Sequence, residues 1–331
     1  MNAQQESLPV PGLADVQAAA GRLAGVVRRT PLLAGTPLDE LTGGRLLFKV
    51  ESLQRTGSFK FRGAFNRLVQ LDAARRRAGV VAFSSGNHAQ GVAAAARMLG
   101  IPATIVMPSN APVTKLENTR ALGAEVVLYD RFTEDREEIA RRVVAGRGAT
   151  LVPAYDDPHV VAGQGTVGLE LMQQAAETGV TPDQVLVPTS GGGLTAGTAI
   201  AVRSLAPGSA VYGVEPEAFD DTRRSLAAGA LLRNPPEARS ICDALQSSPP
   251  GQLPFEINRE LLAGILTVTD AEVEKAMAMA FRHLRLVVEP GGAVALAAAL
   301  AGRIPLAGRA TAIVLSGGNV DAAAFIAALS R

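Results

Sequence analysis

An α/β fold with a largely parallel sheet covered on both faces is predicted by three observations. Short apolar runs alternate with segments of helical length through almost all of the 331 residues, which is the pattern of successive βαβ units. An apolar content of 47%, with 34 Gly and 20 Pro, is that of an ordinary globular chain. The length suits two domains or one large α/β unit, and such a chain buries most of its unfolded surface without staples.

Taken in order, strands are predicted at RLLFKV (45–50), VVAF (80–83), ATIVM (103–107), EVVLY (125–129) and TLVP (150–153). They continue with QVLVP (184–188), AVYGV (210–214), ILTV (265–268) and TAIVL (311–315). Between them lie an Ala-rich helix at 92–99 and a charged helix at 134–146. Thr133 is positioned to cap the latter, and Glu134 and Asp135 favour its positive end. Glu137 with Arg141 and Glu138 with Arg142 have i,i+4 spacing on a solvated face. Thr269 and Glu272 have capping-box spacing ahead of a helix over 270–285. AVALAAALA at 293–301 is too short to span a bilayer and reads as a buried core helix. Residues 231–264 carry five prolines and little regular pattern, so they read as a long loop, either a site wall or a surface excursion.

A net charge of +1 removes the electrostatic argument for nucleic acid. No segment reads as a membrane span or a secretory leader. One cysteine, Cys242, forms no internal disulfide and no Cys-based zinc site, which points to a reducing cytoplasm. Of 32 basic residues only Lys49, Lys60, Lys115 and Lys275 are lysines. Arginine stays protonated, so any side-chain amine nucleophile comes from these four.

Four clusters carry the candidate chemistry, each directly after a predicted strand. TGSFKFRGA (56–64) holds Lys60 between Phe59 and Phe61. Apolar neighbours disfavour an ammonium and free the amine for imine formation, although a surface lysine at a helix start has the same local sequence. SSGNHAQG (84–91) places small residues at a helix start, where backbone N–H groups receive a carboxylate or phosphate. His88 in it lacks a paired acid or nucleophile and reads as a structural hydrogen-bonding group. PTSGGGLTAG (188–197) offers an anion cradle, yet it has neither the GK[ST] ending of a nucleotide loop nor GxGxxG spacing. LSGGNVD (315–321) sets Ser316 at the carboxyl edge of the sheet, where open α/β folds bind ligands.

With these clusters in hand, the chain resembles the fold-type II pyridoxal-phosphate enzymes, in the threonine/serine dehydratase and serine racemase branch. SFKFRGA, SSGNHAQG, AGQGT (162–166), SGGGL and SGGNVD occur in that family's order over roughly residues 15–330. The resemblance implies a tryptophan-synthase-β-like fold of two open, twisted α/β domains. Residues 1–78 and 157–331 would form the large cofactor-binding domain and 79–156 the small closing one. It implies pyridoxal 5′-phosphate as cofactor, Lys60 as its Schiff-base lysine and later the base at the substrate α-carbon, and Phe59 beside the ring. Asn87 would bond the ring 3′-oxygen. Gly191, Gly192 and Gly193, flanked by Ser190 and Leu194, would hold the phosphate, and Ser316 would face the pyridine nitrogen. Ser190 stands where many relatives have a first glycine. Ser84, Ser85, Gly86, Asn87 and His88 would receive the substrate, with Ser85 at the position where racemase-like members act on the opposite face of the α-carbon. Glu215, the carbonyl of Phe219 and Asp221 match the branch's cation site, suited to Mg²⁺ or Ca²⁺. Arg136 matches a residue that relatives place near a second substrate carboxylate, and it fits a solvated helix face as well.

The activity implied is α,β-elimination from a β-hydroxy L-amino acid, L-threonine or L-serine, to a 2-oxo acid and ammonia, in a homodimer that binds neither nucleic acid nor membrane. 3-Hydroxyaspartate dehydratase and serine racemase are the alternatives within that class. A nicotinamide oxidoreductase is the alternative outside it, because Glu215 follows Gly191 by 24 residues at the end of the next strand.

Overall fold

The computed structural model describes residues 9–84, 86–111, 113–130 and 133–330. Ten strands occur among them: β1 (Leu32–Leu33), β2 (Arg45–Val50), β3 (Val80–Phe83), β4 (Ala103–Pro108) and β5 (Glu125–Tyr129), then β6 (Thr150–Leu151), β7 (Gln184–Pro188), β8 (Ala210–Pro216), β9 (Gly264–Val268) and β10 (Ala310–Leu315). They form a six-stranded sheet, ordered β1-β2-β10-β7-β8-β9, and a four-stranded sheet, ordered β5-β4-β3-β6. Every pairing is parallel except β1 with β2. The four-stranded sheet is built from one continuous stretch and the six-stranded one from the stretches on either side of it. All nine anticipated strands are present; β1, two residues long, is too short to leave a pattern.

Parallel strands end at one edge, and β2, β10 and β7 are neighbours. The clusters that follow them, 56–64, 315–321 and 188–197, therefore emerge side by side, while 84–91 leaves the other sheet after β3.

The helix Lys60–Leu68 packs against Asn87–Leu99 on one side and Pro158–Glu177 on the other. Gly91 keeps the first contact close, since a Cβ there would lie 3.1 Å from the carbonyl carbon of Lys60. Gly163 permits the second, since a Cβ there would sit 2.7 Å from the Cα of Gly63. Gln164 Oε1 accepts from the Gly63 N–H (3.2 Å) and Thr166 Oγ1 from Arg62 Nη1 (3.2 Å). The AGQGT motif thus buttresses the helix that begins with Lys60.

Beneath that helix lies a buried charge cluster that the sequence did not disclose. Arg62 is fully buried; it grips both Glu51 oxygens (2.8 and 2.9 Å) and both Glu170 oxygens (2.7 and 2.8 Å). Lys49 Nζ donates to Glu170 (2.8 Å), Gln174 (2.9 Å) and the Thr30 carbonyl (2.8 Å). Two cations meet two carboxylates with their donors satisfied, the condition under which buried charge is tolerated.

Three local expectations change. The 134–146 helix runs Arg136–Arg147, capped by Asp135, whose carboxylate accepts from the N–H groups of Glu137 and Glu138 at 2.7 and 3.4 Å. Arg142 approaches Glu138 at 4.0 Å, but Arg141 donates to the Glu137 backbone carbonyl instead of its side chain. The 270–285 helix keeps its Thr269–Glu272 capping box but is α-helical only to Met279, then closes with a π turn over Ala280–Leu284. The proline-rich 231–264 stretch contains the helix Gln252–Leu261, in which Pro254 occupies the first turn, where its missing N–H has no intrahelical role. Helix Pro290–Leu300 is buried as anticipated.

Candidate active site

The four clusters line one cleft of about 930 Å³ between the two sheets. Lys60 opens its helix with Nζ 5.1 Å from the centre of the Phe59 ring and donating to the Ala154 carbonyl at 2.9 Å. Burial alone lowers its pKa to about 8. Only Phe59 flanks the amine. Phe61 lies fully buried in the core, its ring 5.8 Å from that of Phe65.

Opposite Lys60, Gly191–Gly193 turn into the helix Gly193–Leu205, with Gly192 at φ +91°. The loop rests on Tyr155: a Cβ on Gly191 would lie 2.2 Å from its ring and one on Gly193 3.0 Å from its Cα. Among the described residues, the amide N–H groups of Gly191, Gly192, Gly193, Leu194 and Thr195 donate to no backbone oxygen. Five unclaimed donors at a positive helix end form an anion cradle. The Ser190 hydroxyl pairs with the backbone of Ser247, accepting from its N–H at 3.2 Å. Ser316, at the end of β10, is 5% exposed, and among the described residues its hydroxyl makes no hydrogen bond.

On the other wall, Asn87 is the first residue of its helix, and Ser84, Gly86 and His88 line the cleft beside it. Ser85 lies outside the described residues. His88 Nε2–H donates to the Val152 carbonyl at 2.9 Å, and its buried Nδ1 has no partner. Burial and the nearby Lys60 drop its pKa to about 3, so the ring is neutral and offers a substrate carboxylate no positive charge. Among the described residues the first-turn N–H groups of Asn87, His88 and Ala89 donate to no backbone oxygen and can receive an anion.

Arg136 lines the cleft mouth, its guanidinium 5.4 Å from the centre of the Phe83 ring. It has no carboxylate partner among the described residues, and as the first residue of a helix it stands against the positive end of the dipole. Its side chain is exposed, so it stands on the solvated helix face as well as at the cleft. Lys115 also reaches the cleft, tied to Asp243 at 2.5 Å. Asp243 begins the 243–247 stretch, which makes the 231–264 segment one wall of the site.

Two partners of Asn87, of which Glu289 lines the cleft, carry no signal of that role in the sequence. Glu289 precedes Pro290 and reads there as an ordinary helix cap. Asn319 lies in LSGGNVD, where Ser316 is the residue that the sheet edge singles out. Both bond Asn87: Asn87 Nδ2 donates to Glu289 Oε1 at 2.6 Å, and Asn319 Nδ2 donates to Asn87 Oδ1 at 2.7 Å.

Glu215, Phe219 and Asp221 lie apart from the cleft. Glu215, at the end of β8, is wholly buried, and its oxygens accept from the N–H groups of Thr222 (3.1 Å) and Arg223 (3.0 Å). Burial pushes its pKa up to about 8. Asp221 is 1% exposed and both its oxygens lack a partner, although Ser248 and Asn234 are close. The Phe219 carbonyl accepts no backbone hydrogen bond among the described residues. No group of three or more His, Cys, Asp or Glu suited to a metal occurs among the described residues, so a cation here takes two acids, one carbonyl and water. Two buried carboxylates with unmet acceptor capacity fit a hard divalent ion.

A desolvated lysine facing a five-amide cradle and a free hydroxyl defines an α/β enzyme built around an anionic carbonyl cofactor. Residues 23–317 match the family described as pyridoxal-phosphate dependent enzyme, and the chain belongs to that family. It is similar to the L-threo-3-hydroxyaspartate ammonia-lyase of Pseudomonas sp, 48% identical over 307 residues that cover 93% of this chain and 95% of the relative. The serine racemase of Schizosaccharomyces pombe is 40% identical over 316 residues, 96% of each chain. Among solved structures, the T.th. threonine deaminase superposes with a TM-score of 0.88 at 48% identity, over 94% of this chain and 99% of that one. The nicotinamide reading fails with these findings, because the family that the chain matches is that of the pyridoxal-phosphate dependent enzymes.

Proposed function

We propose that the protein is an ammonia-lyase for β-hydroxy L-amino acids, releasing a 2-oxo acid and ammonia. The observation that carries this reading is the half-buried Lys60 amine, which shares one cleft with the Gly191–Thr195 amides. Those amides would hold the cofactor phosphate, with Ser190 and Leu194 bounding the loop. Phe59 would pack on the ring, Asn87 would donate to its 3′-oxygen and the Ser316 hydroxyl would meet its nitrogen. When bound, pyridoxal phosphate supplies an electron-withdrawing imine at the substrate amine. Lys60 removes the α-proton, and the first-turn amides of Asn87 and His88, with Ser84 and Gly86, orient the carboxylate. The substrate loses its β-hydroxyl as water; the released enamine takes water back and gives up ammonia, so the sum is 2-oxo acid plus ammonia. A neutral hydroxyl at the ring nitrogen withdraws less charge than a carboxylate-paired pyridinium, which favours prompt loss of the β-hydroxyl.

Arg136 favours a second reading of the substrate, L-threo-3-hydroxyaspartate, whose extra carboxylate would meet its unpartnered guanidinium. The name of the Pseudomonas relative supports it. The test incubates cofactor-loaded protein with L-threonine, L-serine and L-threo-3-hydroxyaspartate, and assays 2-oxo acid, ammonia and D-serine. No 2-oxo acid from any of the three overturns the proposal. D-serine that disappears in Ser85→Ala assigns racemisation to Ser85. Arg136→Ala is expected to lower kcat/KM for 3-hydroxyaspartate about 10- to 100-fold, the worth of a charge-assisted pair, and to change threonine turnover less than about threefold. Equal losses on both substrates would remove the carboxylate role.

For the cation, Glu215, Phe219 and Asp221 are the proposed ligands of Mg²⁺ or Ca²⁺. Either ion at about 100 times its Kd adds about 2.7 kcal/mol to stability. The thermal midpoint therefore rises with added ion, falls with chelator, and no longer responds in Asp221→Asn.

The division into a cofactor-holding unit (1–78 with 157–331) and a closing unit (79–156) is part of the same proposal. So is a cytoplasmic homodimer. Cys242 is free and buried, in keeping with a reducing compartment, and a sedimentation mass would check the dimer.

A further inference from the structure

We infer that Glu289 and Asn319 are positioning residues that lock the Asn87 carboxamide across the cleft, leaving one Asn87 N–H aimed into the site. This rests on reading the cleft as the cofactor site. Asn87 enters from the helix after β3, whereas its partners lie 202 and 232 residues away, on the side of the six-stranded sheet. Its nitrogen faces an acceptor-bearing carboxyl and its oxygen faces an amide donor. Asn319 fixes the orientation: its Nδ2 also donates to the Thr56 carbonyl, so turning Asn87 over would set Nδ2 against Nδ2.

Both partners are held by residues of the sequence clusters. Gly317 makes room for the acid, because a Cβ there would lie 2.0 Å from Glu289 Oε1. Asn319 Nδ2 also donates to the Thr56 carbonyl at 2.7 Å, and Gly57 leaves it space, since a Cβ at Gly57 would be 2.4 Å from Asn319 Oδ1. Glu289 is the N-cap residue of Pro290–Leu300, yet its side chain makes no cap hydrogen bond and turns to Asn87 instead. Burial, with Asp243 adding to it, pushes the Glu289 pKa up to about 8. A buried acid that forgoes its helix and has no ion-pair partner among the described residues is retained at a cost in stability, and the Asn87 contact is what that cost supports.

The test is a double-mutant cycle read through the visible and near-ultraviolet bands of the bound cofactor, whose ratio follows hydrogen bonding at the ring 3′-oxygen, and through kcat. Asn87→Ala and Glu289→Ala are each expected to shift the band ratio toward the near-ultraviolet and to lower kcat about tenfold. The double variant should match Asn87→Ala within about twofold, because the two residues act as one unit. Glu289→Gln, which keeps an acceptor, should recover the band ratio. Effects that multiply in full, or a Glu289→Gln protein as shifted as Glu289→Ala, would overturn the inference. Should Glu289→Ala fail to fold, Asn319→Ala must shift the bands in the same direction, and unchanged bands there would overturn it too. Wild-type protein that gives no visible band with the cofactor defeats the proposed function, whereas a loaded wild type with an additive cycle defeats this inference alone.

Discussion

Lys60→Ala abolishes the visible absorbance of the cofactor–protein imine and lowers kcat at least about a thousandfold, since it removes both the covalent attachment and the α-carbon base. Residual turnover above that level, or a visible band without added amine, would contradict the assignment. The environment of Lys60 gives the prediction a pH signature. With its pKa lowered from 10.5 to about 8 by burial, roughly 10% of the amine is neutral at pH 7, about 300-fold more than for an unperturbed lysine. Capture of added cofactor by the apoprotein should therefore accelerate with pH up to about 8 and level off above it, where an ordinary lysine would keep climbing. Stability carries the opposite half of the linkage. The folded apoprotein binds fewer protons than the unfolded chain between about 8 and 10.5, so its stability rises with pH across that window. Lys60→Ala should remove the rise, which unfolding of the two apoproteins across pH would show.

Arg62→Ala has the largest expected effect on stability, a loss of about 3–5 kcal/mol, because it leaves the Glu51 carboxylate buried with its cation gone. Glu51 and Arg62 are both fully buried, and Glu170 keeps only Lys49 once Arg62 is removed. Urea unfolding measures the loss, and a change below about 1 kcal/mol would mean that water or a rearranged lysine compensates. Arg62→Lys should recover little, because one ammonium cannot grip two carboxylates bidentately. The cluster has its own acid limit. Burial would raise the Glu170 pKa, but Arg62 and Lys49 outweigh it and hold it below the usual value. Its contribution is therefore complete above the ordinary carboxylate range and is lost as pH falls through the lowered value. The two variants separate cleanly: Lys60→Ala loses chemistry and keeps the fold, whereas Arg62→Ala loses stability two residues further along the same helix.

Much of the site was legible in the sequence because its parts are backbone features. A glycine run after a strand, or small residues ahead of a helix, produce unpaired N–H groups whatever the rest of the chain does, and Gly191–Gly193 and Asn87 are of this kind. Lys60 stood out for a different reason: with four lysines in 331 residues, a single one had the cluster context. Side chains whose meaning depends on a distant partner left no such trace. Glu289 lies 202 residues from Asn87, and Glu51, Arg62 and Glu170 are scattered over the chain, so no local pattern joins either set. Phe61 looked like a second wall for Lys60, but the helical turn carries it into the core.

The sequence by itself determined the parallel α/β architecture, the edge at which the ligand loops gather, and which lysine sits in a loop cluster at that edge. Strand periodicity, glycine and residue scarcity are local properties, and they survive without knowledge of the fold. Tertiary structure alone decided how those loops are tuned: that His88 stays neutral, that AGQGT braces the lysine helix, and that Asn87 is clamped from more than 200 residues away. Desolvation and cross-cleft hydrogen bonds depend on which surfaces meet, and that is settled only when the two sheets close on one another.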